Sequence, residues 1–306
     1  MAGVLNGFGI IAVVIGIGYL AGRLGFITPQ VAPAIAKLVF FVLAPCLLFT
    51  ILARTDVAQV FSGSLGVALV SAVTVFGVYA VVARALWHRS VAATTLGALT
   101  AGYVNSNNIG LPVSVYMLGS AAYVAPVLLV QLVVMTPVAL TLLDASTSGR
   151  VSLRHVLGTP VRNPLVVASL LGVLASVSHV TVPDVVFEPL RIVGAAAVPL
   201  MLMNFGASLH GARVLRPGPE RKDVVLATSL KAVVMPLVAW LLGAEVLGLG
   251  GHALFVVVAL AALPAAQNTF TFAQRYGVAE VMVRDAILLT TVASVPVLLA
   301  AAFLLS

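Results

Sequence analysis

Long apolar stretches alternate with short polar or basic loops along almost the whole chain. A helix needs about 20 mostly apolar residues to cross a hydrocarbon core of about 30 Å. Dividing the sequence at charges and at clusters of Gly, Pro and Ser gives ten such stretches: 4–22, 30–53, 61–83, 93–117, 120–143, 164–181, 187–209, 223–243, 251–274 and 281–305. The pattern therefore predicts an all-α membrane protein with ten transmembrane helices.

The composition also places this chain in lipid rather than in water. Its 306 residues are 61% hydrophobic and only 8% charged, with a mean hydropathy of +1.18, whereas soluble domains carry about 25% charged residues. The single cysteine, Cys46, excludes an intramolecular disulfide and a cysteine zinc cluster. The start of the chain lacks the basic segment and cleavage site of a signal peptide, so the first stretch is expected to be a retained span.

The net charge of +7 is explained by membrane orientation and not by nucleic acid binding. Alternate loops carry twelve of the sixteen Lys and Arg residues, and the intervening loops carry only Arg54 and Arg191. Because Lys and Arg are retained on the cytoplasmic side, both termini are expected outside the cell and the 144–163 loop in the cytoplasm. The expected location is the plasma membrane, with the bilayer as a partner.

Prolines within the spans recur at offsets of 152 to 159 residues along the chain: Pro45 with Pro199, Pro112 with Pro264, and Pro137 with Pro296. This spacing predicts two five-helix repeats, residues 1–143 and 164–306, joined by the cytoplasmic linker 144–163. Because five is odd, the second repeat enters the membrane from the opposite side, which makes the repeat inverted. The alternative is that proline is simply frequent in membrane helices.

Spans four and nine are interrupted by polar residues and a proline. The interruptions lie near 105–112 and 264–268, and broken helices at matching places in inverted repeats point to the substrate site of a transporter. The candidate substrate-binding residues are Asn105, Asn107, Asn108, Gly110, Pro112, Pro264, Gln267 and Asn268. Carboxamides donate and accept hydrogen bonds, and the N-termini of half-helices favour anions, so the site suits a carboxylate. The alternative is that these carboxamides only bond neighbouring helices.

Two cations, Lys37 and Lys231, fall inside spans, about eight residues from the expected cytoplasmic face. Either they extend to that face, or they attract an anion or exchange a proton. No Asp or Glu lies in the middle of a span, and Asp285 is expected to pair with its neighbour Arg284. The coupling ion is therefore open between H⁺ and Na⁺, and no other cofactor and no metal is expected.

Three segments resemble the auxin efflux carrier family, which includes plant PIN carriers and bacterial malonate or malate permeases. They are Asn-Ser-Asn-Asn-Ile-Gly-Leu-Pro in span four, Lys-Ala-Val-Val-Met-Pro from Lys231, and residues 263–277 in span nine. The resemblance implies ten helices in two inverted repeats, as in NhaA and the bile-acid symporters, with crossed broken helices. It also implies a dimerising scaffold, hence a homodimer, and a domain that moves like an elevator.

The same resemblance matches Asn105 to the asparagine that contacts the substrate carboxylate in PIN-type carriers, and Pro112 and Pro264 to the crossover prolines. Gln267 and Asn268 depart from the plant pattern, where aliphatic residues follow the second proline. This departure favours an acid that is smaller and more polar than auxin.

The sequence thus predicts a secondary active transporter of small organic anions. An enzyme is not expected, because no nucleophile and base pair lies at mid-depth. The alternatives are a sodium-coupled carrier of another organic solute and a non-transporting membrane sensor or structural subunit. The Gly18-x-x-x-Gly22 motif in span one is a candidate packing face, either within the chain or in a dimer.

Overall fold

The structure is a computed structural model that describes residues 2–28, 30–54, 63–147, 163–208 and 220–305. Within these ranges the chain is helical and forms no strand; one isolated antiparallel bridge joins Val104 and Ala265. The all-α prediction is confirmed for these residues. Most of the predicted linker 144–163 lies outside the described residues.

Sixteen α-helices lie within the described ranges. They are α1 (Ala2–Arg23), α2 (Val31–Leu38), α3 (Ala44–Leu52), α4 (Gly63–Val81), α5 (Val91–Gly102), α6 (Leu111–Tyr116), α7 (Ala125–Val130), α8 (Thr136–Thr147), α9 (Pro164–Val177), α10 (Asp184–Ala195), α11 (Ala197–Ser208), α12 (Arg221–Ser229), α13 (Met235–Leu241), α14 (Gly251–Ala262), α15 (Asn268–Tyr276) and α16 (Glu280–Leu305). Five-residue π-helical segments join several of them into longer rods: Val39–Leu43, Val82–Leu86, Ser106–Gly110, Gln131–Met135, Leu230–Val234 and Leu242–Val246.

Six continuous helical rods are long and apolar enough to cross a membrane: Val31–Leu52, Leu65–Leu86, Ala121–Thr147, Asp184–Ala207, Arg221–Val246 and Glu280–Leu305. Four shorter apolar helices lie where the remaining spans are predicted: Ala12–Arg23, Val91–Gly102, Pro164–Val177 and Gly251–Ala262. The chain is therefore a multi-span membrane protein, and the count of ten crossings stays a prediction.

The described helices pack into two compact units. The first comprises Met1–Ser62, Asn107–Val133 and Gly158–Ala212, and the second comprises Gly63–Ser106, Val134–Leu157 and Arg213–Ser306. Each unit draws helices from both halves of the sequence. The predicted repeats 1–143 and 164–306 therefore have different boundaries from the units, and the division into repeats stays a prediction.

In the first unit, glycines bring α1 and α11 into backbone contact. A Cβ on Gly18 would lie 2.2 Å from the carbonyl oxygen of Met203, and one on Gly206 would lie 2.0 Å from that of Ile15. Gly22 faces Ala207 in the same way. The Gly18-x-x-x-Gly22 motif is thus used for packing within the chain, because only residues without a large side chain allow two helices to approach so closely.

In the second unit, α4 packs on α5, and α16 packs on α12 and α14. The fully buried ring of Tyr79 on α4 lies against Gly97 of α5, where a Cβ would be 2.1 Å from the tyrosine hydroxyl. A hydrophobic cluster comprises Leu99, Tyr103, Ala139 and Ala266, with Phe76, Met135 and Phe272 packed against it. This cluster surrounds the place where the two interrupted helices meet.

Candidate functional site

The first interrupted helix opens just before the carboxamide motif. Helix α5 ends at Gly102, Tyr103 is extended (φ −86°, ψ 103°), and helical turns resume at Ser106. Pro112 does not lie in this opening, because it occupies the first turn of α6. Because α6 continues directly from the π-helical segment Ser106–Gly110, the missing amide of Pro112 removes one hydrogen bond from that rod but does not open it. The opening is therefore at the start of the predicted 105–112 interruption.

The second interrupted helix opens around its proline. Helix α14 ends at Ala262, Leu263 takes an extended conformation (ψ 145°), and α15 begins at Asn268. Pro264 lies in the extended stretch itself. A proline lacks the amide hydrogen that would continue the helical bonding and clashes with the preceding turn. The helix is interrupted where the sequence predicts it.

The two openings bond to each other through their backbones in the second unit. The amide of Asn105 donates to the carbonyl of Pro264 (2.8 Å), and the amide of Ala266 donates to the carbonyl of Tyr103 (3.0 Å). Backbone groups released from a helix at membrane depth need partners within the protein. The short bridge supplies them, so that each opening stabilises the other.

Hydroxyl groups from neighbouring helices support this crossing. The amide of Ala265 donates to Oγ1 of Thr290 on α16 (3.2 Å). The hydroxyls of Tyr103 and Thr136 lie 3.0 Å apart, and the side chain of Asn268 also hydrogen bonds to Tyr103. Sequence reasoning missed Tyr103, Thr136 and Thr290. Their only sequence signal is a hydroxyl within an apolar span.

The carboxamides of the second unit differ in exposure. Asn105 is buried, with 4% of its surface exposed, whereas Gln267 and Asn268 are exposed. Gln267 precedes α15 and Asn268 is its first residue, where the positive end of the helix dipole lies. Accessible donors beside a helix N-terminus are suited to contact an anion.

The remaining sequence candidates lie in the first unit. Nδ2 of Asn107 donates to Oδ1 of Asn108 (2.9 Å), and Oδ1 of Asn107 is buried without a hydrogen-bond partner among the described residues. Gly110 and Pro112 are buried. The structure thus brings Asn105, Pro264, Gln267 and Asn268 together in one unit and places the other four candidates in the other unit.

Lys231 is buried beside the second opening, with 1% of its surface exposed. Its ammonium group donates to the carbonyl of Ala261 (2.6 Å) and to the sulfur of Met235 (3.1 Å). Ala261 lies in the last turn of α14, where carbonyls lack helical partners and carry the negative end of the dipole. Among the described residues no carboxylate forms an ion pair with Lys231. Lys37, in contrast, is exposed on α2 of the first unit.

Two buried carboxylates of the second unit, Asp223 and Asp285, form ion pairs near the starts of their helices. Asp285 pairs with Arg284 (2.7 Å), as the sequence predicts. Asp223 is buried and accepts two hydrogen bonds from Arg89 and one from Tyr79. The hydrogen bond to Asp223 raises the pKa of the Arg89 guanidinium, so the arginine stays protonated.

At the far end of α15, the hydroxyl of Tyr276 donates to Oδ1 of Asp144 (2.6 Å). Partial burial and this hydrogen bond raise the pKa of Tyr276 to about 12, and burial is the larger of the two causes. The tyrosine therefore keeps its proton at physiological pH and ties α15 to α8.

A family model described as "Membrane transport protein" matches this chain over residues 9–151 and 141–301. "Probable auxin efflux carrier component 5c" of Oryza sativa subsp. japonica is 32% identical over 144 residues, and "Probable auxin efflux carrier component 5b" of the same plant is 34% identical over 143 residues. "Auxin efflux carrier component 5" of Arabidopsis thaliana is 28% identical over 148 residues. The two rice alignments cover 45% of this chain and 38% of each relative, and the Arabidopsis alignment covers 45% and 40%.

Proposed function

Because this chain belongs to the membrane transport protein family and its curated relatives are plant auxin efflux carriers, we propose that it is a secondary active transporter that carries small organic anions across the plasma membrane. Members of this family are transporters and not enzymes. The chain aligns with well under half of each relative's length, so the substrate is argued from this chain's own residues.

The observation that carries the proposal is the crossing of two opened helices in the second unit. Asn105, Gln267 and Asn268 lie at this crossing, and the ammonium of Lys231 lies next to it on the carbonyl of Ala261. A helix opened at membrane depth is unfavourable, and it is tolerated where the freed backbone is buried in protein or lines a water-filled cavity. Exposed donors at the start of α15 favour a negatively charged guest.

The substrate class follows from the polarity of this crossing. Gln267 and Asn268 present carboxamide donors and acceptors where an aromatic acid would need apolar surface. We therefore propose a small, polar carboxylate as the substrate, with an indole acid as the less favoured candidate. Asn107, Asn108, Gly110 and Pro112 stay proposed members of the site on the strength of the sequence, and Lys37 stays a proposed contributor to anion attraction.

The remaining features of the mechanism are proposals: the dimer and the elevator motion follow from the family resemblance, the orientation follows from the loop charges, and the coupling ion stays open between H⁺ and Na⁺. The protein would work as a homodimer by elevator-like alternating access, with the 144–163 loop in the cytoplasm and H⁺ or Na⁺ as the coupling ion. The absence of an acid at mid-span disfavours a proton carried by a buried carboxylate.

Uptake into liposomes that contain the purified protein tests the proposal. Radiolabelled dicarboxylates, hydroxy acids and an indole acid are offered with an inward Na⁺ gradient, with a proton gradient or with neither. Replacing Gln267 or Asn268 with Ala should reduce uptake of the accepted acid about tenfold, because a hydrogen bond to a charged group contributes about 1.5–3 kcal/mol. Gln30→Ala is the matched control, since Gln30 is exposed and makes no capping hydrogen bond.

The pattern of uptake separates the proposal from its alternatives. Uptake of a neutral solute that requires Na⁺ would favour a sodium-coupled carrier of another class. Protein that melts cooperatively and binds an acid but moves no solute under any gradient would favour a sensor or structural subunit. If Asn268→Ala and Gln30→Ala take up the acid equally well, the helix crossing is not part of the substrate site.

A further inference from the structure

A groove runs along the second unit between α4, α5 and the start of α8. It shares Phe76, Leu99, Met135 and Ala139 with the hydrophobic cluster beside the helix crossing. Its volume is about 570 Å³. Three helix faces line it: Val73, Phe76, Gly77, Ala80 and Arg84; Val91, Thr94, Thr95, Ala98 and Leu99; and Val134, Met135, Val138, Ala139 and Leu142. On each helix these positions recur at helical spacing, so the groove is a continuous feature of the packing.

The groove has the shape and polarity of a site for an acyl chain. Its lining is apolar except for Arg84, Thr94 and Thr95. Val73, Val134 and Val138 on its rims are more than half exposed, so it opens to the surroundings of the helices. From Val73 to Arg84 it runs for eleven residues, about 16 Å at 1.5 Å per residue. That length is about half of a 30 Å hydrocarbon core, the depth of one leaflet.

A cationic group closes one end of the groove. Arg84 is exposed there, and it donates one hydrogen bond to the carbonyl of Arg89. Arg89 itself is neutralised by Asp223, whereas among the described residues no carboxylate pairs with Arg84. Trp87 lies in the loop that follows Arg84. The ammonium of Lys222, on α12, lies 4.7 Å from the centre of the Trp87 ring. Trp87 follows Arg84 by three residues at the predicted membrane interface, where cations attract anionic headgroups.

A hydroxyl in the groove lacks a partner at the same end. Oγ1 of Thr94 is buried and makes no hydrogen bond among the described residues, and Thr94 is one turn from the start of α5. Buried hydroxyls are nearly always bonded. This oxygen is closed to solvent, so an ester or phosphate oxygen of a lipid would accept this hydrogen bond only after the Thr94 side chain rotates toward the groove.

We propose that this groove binds one anionic phospholipid, with an acyl chain along α4 and α5 and the phosphate on Arg84 and Lys222. The arginines of this loop belong to the set that the sequence assigns to the cytoplasmic side, and anionic lipids are concentrated in the cytoplasmic leaflet. The lipid holds α4, α5 and α8 together from outside, independently of which solute the protein transports.

Thermal unfolding of the purified full-length protein in detergent tests this site. Phosphatidylglycerol should raise the melting temperature by about 3 °C more than phosphatidylcholine with the same acyl chains, because a ligand of the native state stabilises it by mass action. Glycerol phosphate, which has the headgroup charge without the chains, should have no effect. Native mass spectrometry should show one retained phosphatidylglycerol per chain.

Two pairs of variants locate the effect. Arg84→Gln should remove most of the difference in melting temperature between the two lipids. Arg275→Gln should not, because Arg275 is exposed at another site of the same unit. Gly77→Phe should fill the groove and abolish lipid retention. Its matched control is Gly66→Phe on the same helix, since a Cβ meets no atom within 4 Å at either glycine and only Gly77 lines the groove.

Three results would overturn the proposal. The first is equal stabilisation by both lipids that Arg84→Gln does not change. The second is retention of phosphatidylglycerol by a folded Gly77→Phe protein. The third is that the protein is a dimer, and that Gly77→Phe dissociates the dimer without changing lipid retention. The groove would then be a contact between copies of the chain.

Discussion

At the scale of single residues, the crossing depends on hydroxyl groups that the sequence does not distinguish. Thr290 lies in the middle of a 26-residue apolar helix, and its Oγ1 accepts the amide of Ala265 next to Pro264. Tyr103 similarly meets Thr136. Threonine is common in membrane helices, where its hydroxyl usually bonds its own helix. Only the position of the second opening gives Thr290 another partner.

Thr290→Val should destabilise the protein, because it leaves the amide of Ala265 buried without an acceptor. The expected cost is about 1–3 kcal/mol, or a melting temperature lower by several degrees. Thermal unfolding of the purified protein measures it. The control is Thr74→Val on α4, whose hydroxyl bonds, within the described part of the chain, only the carbonyl of Val70 in its own helix. Equal melting temperatures for the two variants would show that the bond to Ala265 contributes nothing.

Lys231→Met should reduce transport more than stability. A buried ammonium without a carboxylate costs about 2.5–3.5 kcal/mol at a membrane helix centre, and losing its bond to Ala261 costs about 1.5–3 kcal/mol. Because these terms nearly cancel, the melting temperature should change by no more than about 4 °C. Affinity for the transported acid should fall about tenfold through the lost charge.

Arg23→Met is the control for Lys231→Met and should change neither quantity, because Arg23 is exposed at the end of α1. Half-saturation concentrations for liposome uptake and melting curves on the same preparations measure both effects. A Lys231→Met protein that transports normally but melts far lower would assign Lys231 a structural role instead.

At the scale of elements, glycines set how closely the helices approach. Gly18 and Gly206 hold α1 on α11, and Gly194 on α10 lies against the backbone of Leu47 on α3, where a Cβ would be 2.7 Å from its amide nitrogen. Helices in lipid gain no hydrophobic free energy by associating, so close van der Waals packing carries the contact. The sequence identifies such glycines as candidates, but not the surface that each one meets.

Gly18→Ala should separate α1 from α11, because the new Cβ would overlap the carbonyl of Met203. Overpacking of this kind costs about 1–3 kcal/mol, which melting curves detect. Gly16→Ala on the same helix meets no atom within 4 Å and should be neutral or slightly stabilising. A dimer that dissociates in Gly18→Ala without loss of monomer stability would contradict the packing within the chain.

At the scale of the whole molecule, basic residues set the expected orientation. Arg84, Arg89 and the Arg and Lys residues of α12 lie on loops or helix ends that the sequence assigns to the cytoplasm. The translocation machinery retains such residues inside, whatever the helices later do in the folded protein. Orientation is thus a property of loop charge and precedes tertiary packing.

Cysteine labelling in the cell membrane tests this orientation. In a Cys46→Ser background, Ser146→Cys at the end of α8 should react with a membrane-impermeant maleimide only in inside-out vesicles. Ser178→Cys, after α9, should react only in intact spheroplasts. Both serines are exposed, so accessibility does not bias the comparison. The reverse labelling pattern would place the 144–163 loop outside.

The sequence by itself determined the membrane environment, the helical class and the interruption at Pro264, because each depends on composition or on local backbone chemistry. Its motifs also identified the transport family, through their resemblance to known members. The amide missing from a proline and the hydropathy of a 20-residue window do not depend on distant residues. Only the tertiary structure decided which groups meet. These contacts are the hydrogen bond of Asn105 to Pro264, the hydrogen bond of Ala265 to Thr290, the hydrogen bond of Lys231 to Ala261 and the groove beside Arg84. Each of these contacts joins residues far apart in the chain. The type of a side chain does not specify its partner, because many polar and apolar groups are available and only the packing of the helices brings one of them within reach.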